Sequence, residues 1–296
     1  HRAPQPAGAC GIIAFMPMLN RTNKPDLHYV VDDFTDPWRN APYLILQHGN
    51  GRSSAFWYRW VPYLARFYKV VRPDVRGLGK SSADFDLARG FTLDDCVGDL
   101  IDIIDDLGAE SVHLCGESIG GVLCIALAAT QPRRVRTLSL VSTPAFINKA
   151  GKVTYAMGHE SRHDAVDAMG RKAWLEATNA STRFPPGTDP GLLAWYNDEF
   201  LKNNPAAQGA MATLVNTANA ADFLPRIEAP VLGLYPTGGP ITDAEQERVL
   251  KSGIRNFKLV HLPCAFHKIQ LVFAATCATT VLHFIAQHDG IACREP

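Results

Sequence analysis

The residues best suited to chemistry lie in Gly116-Glu117-Ser118-Ile119-Gly120, a G-x-S-x-G run. A short apolar segment, Ser111-Val112-His113-Leu114-Cys115, precedes it, and an Ala-, Leu- and Ile-rich stretch from Ile119 to Thr130 follows it. The first reads as a strand and the second as a helix, so the run is a tight strand-to-helix turn. Such a turn crowds the backbone, and both flanking positions want no side chain. Ser118 is then lifted to the end of a sheet, over a helix N-terminus that favours developing negative charge. That is the setting of a nucleophilic serine.

A serine nucleophile needs a base and donors for the oxyanion. Among ten histidines, His267 stands between the last strand-like run, Phe257 to Leu262, and the last helical run. It is the expected base, with His261 as its competitor. One oxyanion donor is the backbone N–H of Ile119, the residue after the nucleophile. The other comes from His48-Gly49-Asn50-Gly51, which directly follows the apolar run Tyr43-Leu44-Ile45-Leu46-Gln47. Asn50 is the first choice there and Gly51 the next, while His48 reads as a structural hydrogen-bonder.

These groups need a scaffold. Apolar runs at Tyr43 to Gln47, Tyr68 to Val71, Ser111 to Cys115, Val135 to Val141 and Val231 to Tyr235 suit parallel strands buried on both faces. Between them Val97, Leu100, Ile101, Ile104 and Leu107 form one helical stripe, stopped by Gly108. From Pro144 to about Pro225 no convincing strand occurs, and helical pieces carry Met157, Trp174, Phe184, Trp195, Tyr196, Phe200 and Met211. The last helix covers Ile269 to Ile285. The expected fold class is α/β, a mostly parallel central sheet flanked by helices. Core segments run over 21–143 and 226–290, with a helical insertion at 144–225, an N-terminal extension at 1–20 and a tail at 291–296. The strand-free interval argues against a barrel of eight evenly spaced strand–helix units.

These motifs resemble the α/β-hydrolase superfamily. The similarity extends to Arg72-Pro73-Asp74-Val75-Arg76-Gly77-Leu78-Gly79-Lys80-Ser81, which looks like the family's D-x-R-G-x-G-x-S segment, and covers Tyr43 to Ile285. The resemblance implies that the insertion is a helical cap closing over Ser118. Trp57, Trp174 and Trp195 are then candidates to line an apolar substrate cavity. Within the superfamily the chain is similar to capped serine esterases, lactonases and C–C bond hydrolases. The implied activity is cleavage of a carboxylic ester or lactone through an acyl-enzyme, without metal or organic cofactor. Two alternatives stand beside it: hydrolysis of a C–C bond in a ring-cleavage diketone, and a non-catalytic ligand receptor on the same fold.

One part of the pattern is missing. The resemblance places an acid in the turn after the penultimate core strand, within Tyr235-Pro236-Thr237-Gly238-Gly239-Pro240-Ile241-Thr242-Asp243, and Gly239 stands in its place. The alternative location, at the end of the preceding core strand, holds Ser142 and Thr143. Three readings remain open. Asp243 reaches back to His267, although it also reads as a helix N-cap. Glu117 supplies the charge. Or Ser118 and His267 act as a dyad, in a weakened enzyme.

Composition bounds the rest. The 296 residues are 47% hydrophobic and 20% charged, with 29 basic and 29 acidic side chains. Zero net charge argues against nucleic acid as a partner and removes long-range steering toward anionic membranes. The longest apolar stretch, Gly8 to Leu19, is too short for the ~20 residues of a membrane span. Met16 is an alternative start. Seven cysteines show no metal-binding spacing, so a reducing, cytoplasmic setting is expected. The alternative is export, with Cys10 and Cys293 paired. The expected partner is a small-molecule substrate. No Arg or Lys is assigned to a substrate carboxylate, and oligomeric state is not legible.

Overall fold

The computed structural model describes residues 13–15 and 17–293. Its strands are β1 (Ile13–Phe15), β2 (Met18–Leu19), β3 (Leu27–Asp33), β4 (Tyr43–Gln47), β5 (Lys69–Pro73), β6 (Val112–Glu117), β7 (Val135–Val141), β8 (Val231–Pro236) and β9 (Phe257–Leu262). They form a sheet in the order β1-β3-β5-β4-β6-β7-β8-β9, with β2 paired to β3. From β5 to β9 every neighbouring pair is parallel, while β1 and β5 flank β3 antiparallel. The chain therefore has the expected α/β architecture. Every residue of β6 and β8 is buried, as suits parallel strands covered on both faces. Read from sequence, the sheet begins at Tyr43, and β1 to β3 go unseen. The aromatic and β-branched run Tyr29-Val30-Val31 carried their signal.

The helices are α1 (Val61–Leu64), α2 (Leu93–Asp106), α3 (Ile119–Thr130), α4 (Lys149–Ala156), α5 (Arg162–Met169), α6 (Arg171–Thr178), α7 (Pro190–Leu201), α8 (Pro205–Thr217), α9 (Ala244–Gly253), α10 (Ile269–Val272) and α11 (Ala274–Asp289). Thr92 and Asp95 close a capping box at the start of α2, whose buried stripe is Cys96, Val97, Leu100, Ile103 and Ile104. Helix α3 is apolar on all sides and is buried from Ile119 to Ala129, so it lies inside the molecule. Helices α4 to α8 fill the interval between β7 and β8. Asn203, just past α7, ties them to the rest: its Oδ1 accepts from Gly79 N at 2.7 Å and its Nδ2 donates to the Gly51 carbonyl at 3.2 Å.

Register brings the loops together. Gln47 at the end of β4 pairs with Gly116 of β6, and Glu117 pairs with Val141 of β7. The His48–Gly51 loop and the Ser118 turn consequently leave the same sheet edge side by side. No helix among the described residues is long and apolar enough to cross a membrane. Cys10 and Met16 lie outside the described residues, so the expected Cys10–Cys293 pairing falls there too.

Candidate active site

Ser118 sits at the N-terminus of α3 with φ 55° and ψ −125°. A side chain in that region is strained and persists only where its surroundings over-determine it. Here they do. Ser118 N donates to the Val141 carbonyl at 3.1 Å, and its own carbonyl accepts from Gly121 N and Val122 N at 2.9 and 3.2 Å. The flanking glycines permit the packing: a Cβ at Gly116 would lie 2.5 Å from the Gly120 carbonyl, and one at Gly120 would lie 2.4 Å from the His48 carbonyl. The Ser118 hydroxyl makes no hydrogen bond among the described residues. It borders a crevice of about 10 Å³ walled by Val122, Pro144, Phe146, Ile147, Val215 and Ala218.

The neighbouring loops are fixed by buried polar groups. His48 Nδ1 donates to the Gly49 carbonyl at 2.8 Å and its Nε2 accepts from Val75 N at 3.0 Å. Those bonds define a neutral imidazole, and burial lowers its pKa. Asp74 takes His28 Nδ1 at 2.7 Å, Ser54 N at 2.5 Å and Lys80 N at 2.9 Å. Burial pushes the Asp74 carboxyl up, but the bond from His28 and the two backbone donors, with the His48 ring beside it, more than offset it. Asn50 and Gly51 form the turn between these anchors, and Asn50 Oδ1 is buried without a partner among the described residues.

His267 follows β9 and is 3% exposed. Its backbone N–H donates to the Thr182 carbonyl at 2.9 Å. Neither ring nitrogen has a hydrogen-bond partner among the described residues. Nε2 lies 3.5 Å from Glu117 Oε1, and the same oxygen receives Lys268 Nζ at 2.5 Å. Burial first, then the charges of Lys268 and Arg183, hold the imidazole well below the usual histidine range. Glu117 is fully buried, with Oε2 facing Gly49: a Cβ there would come within 2.2 Å of it.

The structure corrects the placement of Asp243. Its Oδ1 accepts from Glu245 N and Gln246 N, capping α9, and its Oδ2 accepts from Asn148 Nδ2 at 2.9 Å. Both oxygens are thus engaged away from His267. Gly239 has φ +118°, and a Cβ on it would lie 2.9 Å from the Ala265 carbonyl, so this turn passes beside the His267 loop but offers no side chain. Among the described residues, Glu117 is the carboxylate within 4.0 Å of the imidazole.

The three tryptophans expected to line the cavity have different surroundings. Trp57 is fully buried, edge-on to Phe56 and Trp60, and belongs to the core. Trp174 is buried with Nε1 donating to the Tyr155 carbonyl at 2.9 Å, and it borders a cleft of about 360 Å³ together with Arg162 and Phe200. Trp195 is half-buried against Tyr58, 4.9 Å between ring centroids. Sequence reasoning missed Lys268, although a Glu beside a buried turn calls for a cation. It also missed the buried Arg52, Arg162 and Arg183, which resemble solvated residues in one dimension. Among the described residues no group of three His, Cys, Asp or Glu side chains is placed to hold a metal ion.

The chain is 28% identical over 218 residues to 3-oxoadipate enol-lactonase 1 of Acinetobacter baylyi, covering 69% of this chain and 73% of that protein. It is 25% identical over 250 residues to the pimeloyl-[acyl-carrier protein] methyl ester esterase of Nitrosomonas europaea, covering 79% and 92%. The solved enol-lactonase of Burkholderia xenovorans LB400 superposes with TM-score 0.73 at 25% identity, covering 91% of this chain and all of that one. A family model for the alpha/beta hydrolase fold matches residues 42–274, and the chain belongs to that family.

Proposed function

We propose that this chain is a serine hydrolase that cleaves a carboxylic ester or lactone of a small substrate with an apolar body. The observation that carries the reading is the position of His267. Its imidazole, with neither nitrogen hydrogen-bonded among the described residues, lies 3.5 Å from the carboxylate of Glu117, the residue adjoining Ser118 in the strained turn. This puts the imidazole beside the residue that precedes Ser118, which supports a nucleophile and a base acting at one sheet edge. The enzymes named above act on a lactone and on a methyl ester, which supports the same reaction class here.

In this scheme Ser118 Oγ attacks the carbonyl while His267 takes its proton. The oxyanion forms against the Ile119 N–H, one of the first helix donors with no partner inside α3, and against the Asn50-Gly51 turn. His267 then gives the proton to the departing alkoxide, leaving an acyl-enzyme. Water, activated by the same imidazole, releases the acid and restores Ser118. Glu117 supplies the negative charge nearest the transient imidazolium, but Lys268 shares it, so turnover is slower than with a dedicated acid. The helices between β7 and β8 act as the cap. The crevice beside Ser118 has room for about one water, so substrate entry displaces the wall formed by Val215 and Ala218.

The test is Ser118→Ala on 4-nitrophenyl valerate, with the fold checked by circular dichroism. The expected loss is about 10³-fold or more. A fluorophosphonate should label wild type at Ser118 and leave the variant untouched. Undiminished hydrolysis by the variant overturns the assignment.

A further inference from the structure

Arg52, Arg162 and Arg183 are 2%, 6% and 5% exposed, yet no carboxylate pairs with any of them among the described residues. Arg52 follows the Asn50-Gly51 turn. Arg162 opens α5. Arg183 closes a π-helical turn, Asn179–Arg183, that rests on the His267 loop: the Thr182 and Arg183 carbonyls accept from His267 N and Lys268 N at 2.9 and 3.1 Å. Aromatic rings link the three. Trp174 has Arg162 at 4.5 Å and Arg183 at 5.3 Å from its ring centroid, and Tyr155 has the same two at 5.8 and 5.4 Å. Arg52 lies 3.4 Å over Tyr196 and 5.1 Å from Phe200, whose ring is 6.4 Å from Trp174.

A buried guanidinium calls for a counter-ion or a full set of acceptors. Here the set is incomplete. Arg52 donates from Nη1 to the Tyr196 carbonyl at 2.7 Å, while its Nε is buried with no hydrogen-bond partner among the described residues. Arg183 bonds the Thr178 hydroxyl and Asn179 Oδ1. The Arg162 guanidinium makes no hydrogen bond among the described residues. The rings attract the cations but carry no net charge. Glu117, the acid whose charge reaches Arg52, is already paired with Lys268. Burial, with the charge of Arg183 against them, brings Arg52 and Arg162 each down to about 10. Arg183 acts on His267 as well, so the cluster adjoins the base.

We propose that Arg52, Arg162 and Arg183 form an anion subsite beside the active site, and that the substrate is an ester or lactone bearing a free carboxylate. The carboxylate is the planar partner that guanidinium forks match in pairs. Naming the substrate rests on the serine-hydrolase reading; the subsite itself does not.

Two measurements separate these claims. The first compares kcat/KM for mono-4-nitrophenyl glutarate with that for 4-nitrophenyl valerate, which has the same acyl length but no charge. Wild type should favour the anionic ester about tenfold or more, a difference of one charge-assisted contact. Arg162→Gln and Arg183→Gln should each pull the ratio toward one, and Arg183→Lys should retain part of it. The second is calorimetric titration of Ser118→Ala with glutarate, which needs no turnover: binding is expected, and Arg162→Gln in that background should abolish it. If the arginine variants fail to fold, the wild-type ratio and the glutarate titration still decide. A ratio of one together with no glutarate binding overturns the subsite. Glutarate binding by a protein whose esterase activity survives Ser118→Ala upholds the subsite and overturns the hydrolytic reading alone.

Discussion

Glu117 and Lys268 form a buried ion pair with 2.5 Å between Oε1 and Nζ. In the chain Glu117 immediately precedes Ser118, and Lys268 immediately follows His267. The pair therefore fastens the end of β6 to the loop beyond β9, at the point where the proposed nucleophile and base must meet. It also sets a charge balance on the imidazole, since one partner attracts a proton there and the other repels it.

Removing one partner should cost far more than removing both. Glu117→Gln leaves an ammonium buried without a counter-charge, and Lys268→Met leaves a carboxylate in the same position. Each is expected to lower unfolding free energy by about 3–5 kcal/mol. The double variant Glu117→Gln/Lys268→Met should recover most of that loss, because no bare charge remains. Urea denaturation of the four proteins gives the coupling directly. Single variants within about 0.5 kcal/mol of wild type would mean that the pair is effectively solvated.

Two glycines should respond oppositely to alanine. At Gly120 the new Cβ meets the Gln47 and His48 carbonyls at 2.5 and 2.4 Å, and both are backbone atoms fixed by the β4–β6 register. Gly120→Ala should destabilise the protein by about 3 kcal/mol or more through overpacking and abolish activity. Gly98 lies inside α2, and a Cβ added there would meet nothing within 4 Å. Gly98→Ala should stabilise by about 0.5–1 kcal/mol. Thermal melts of both variants are the check.

Gly239→Asp tests the missing acid. It puts a carboxylate in the turn beside Ala265, two residues before His267, where the family pattern has one. Its Cβ lies 2.9 Å from the Ala265 carbonyl at φ +118°, so the substitution is strained. A stability loss of about 1–3 kcal/mol is expected. If the turn delivers the carboxylate to the imidazole, kcat on 4-nitrophenyl valerate should rise about tenfold despite that loss. An unchanged kcat in a folded variant would show that His267 draws no benefit from this direction.

The turn at Ser118 is legible in sequence because its requirements are local: an apolar run, two glycines that exclude a Cβ, and a helical run. The parallel strands from Tyr43 onward are legible for the same reason. What escapes is decided across the fold. Asp243 has the residue type and approximate place of a triad acid, but the same features make an N-cap, and only packing shows its oxygens bound to Glu245, Gln246 and Asn148. Arg162 sits in Ser161-Arg162-His163-Asp164, which reads as a solvated helix start. Its burial depends on Tyr155 and Trp174 arriving from α4 and α6. The strand β3 carries a clear β-branched signal, yet its antiparallel place between β1 and β5 is not implied by the parallel pattern of the strands beyond.

The pH profile follows from the surroundings of His267. The proposed base must be neutral to accept the Ser118 proton. Burial, then Lys268 and Arg183, lower its pKa well below 6.5, so the neutral form persists into acid. For an uncharged ester kcat/KM, which reports the free enzyme, should stay level from pH 7 through 6.5 and fall only below that. The stability linkage has the same direction. The unfolded chain takes up this proton near 6.5 and the folded chain only at lower pH, so stability present above 6.5 is lost as the pH falls from there toward the folded value. Lys268→Met removes one repelling charge and leaves Glu117 unpaired 3.5 Å away, and both changes favour the imidazolium. The acid limb should therefore move upward by about one unit or more. A wild-type limb at or above 6.5 would point to a base other than His267. A limb unmoved by Lys268→Met would show that the ammonium next to the imidazole does not govern its charge.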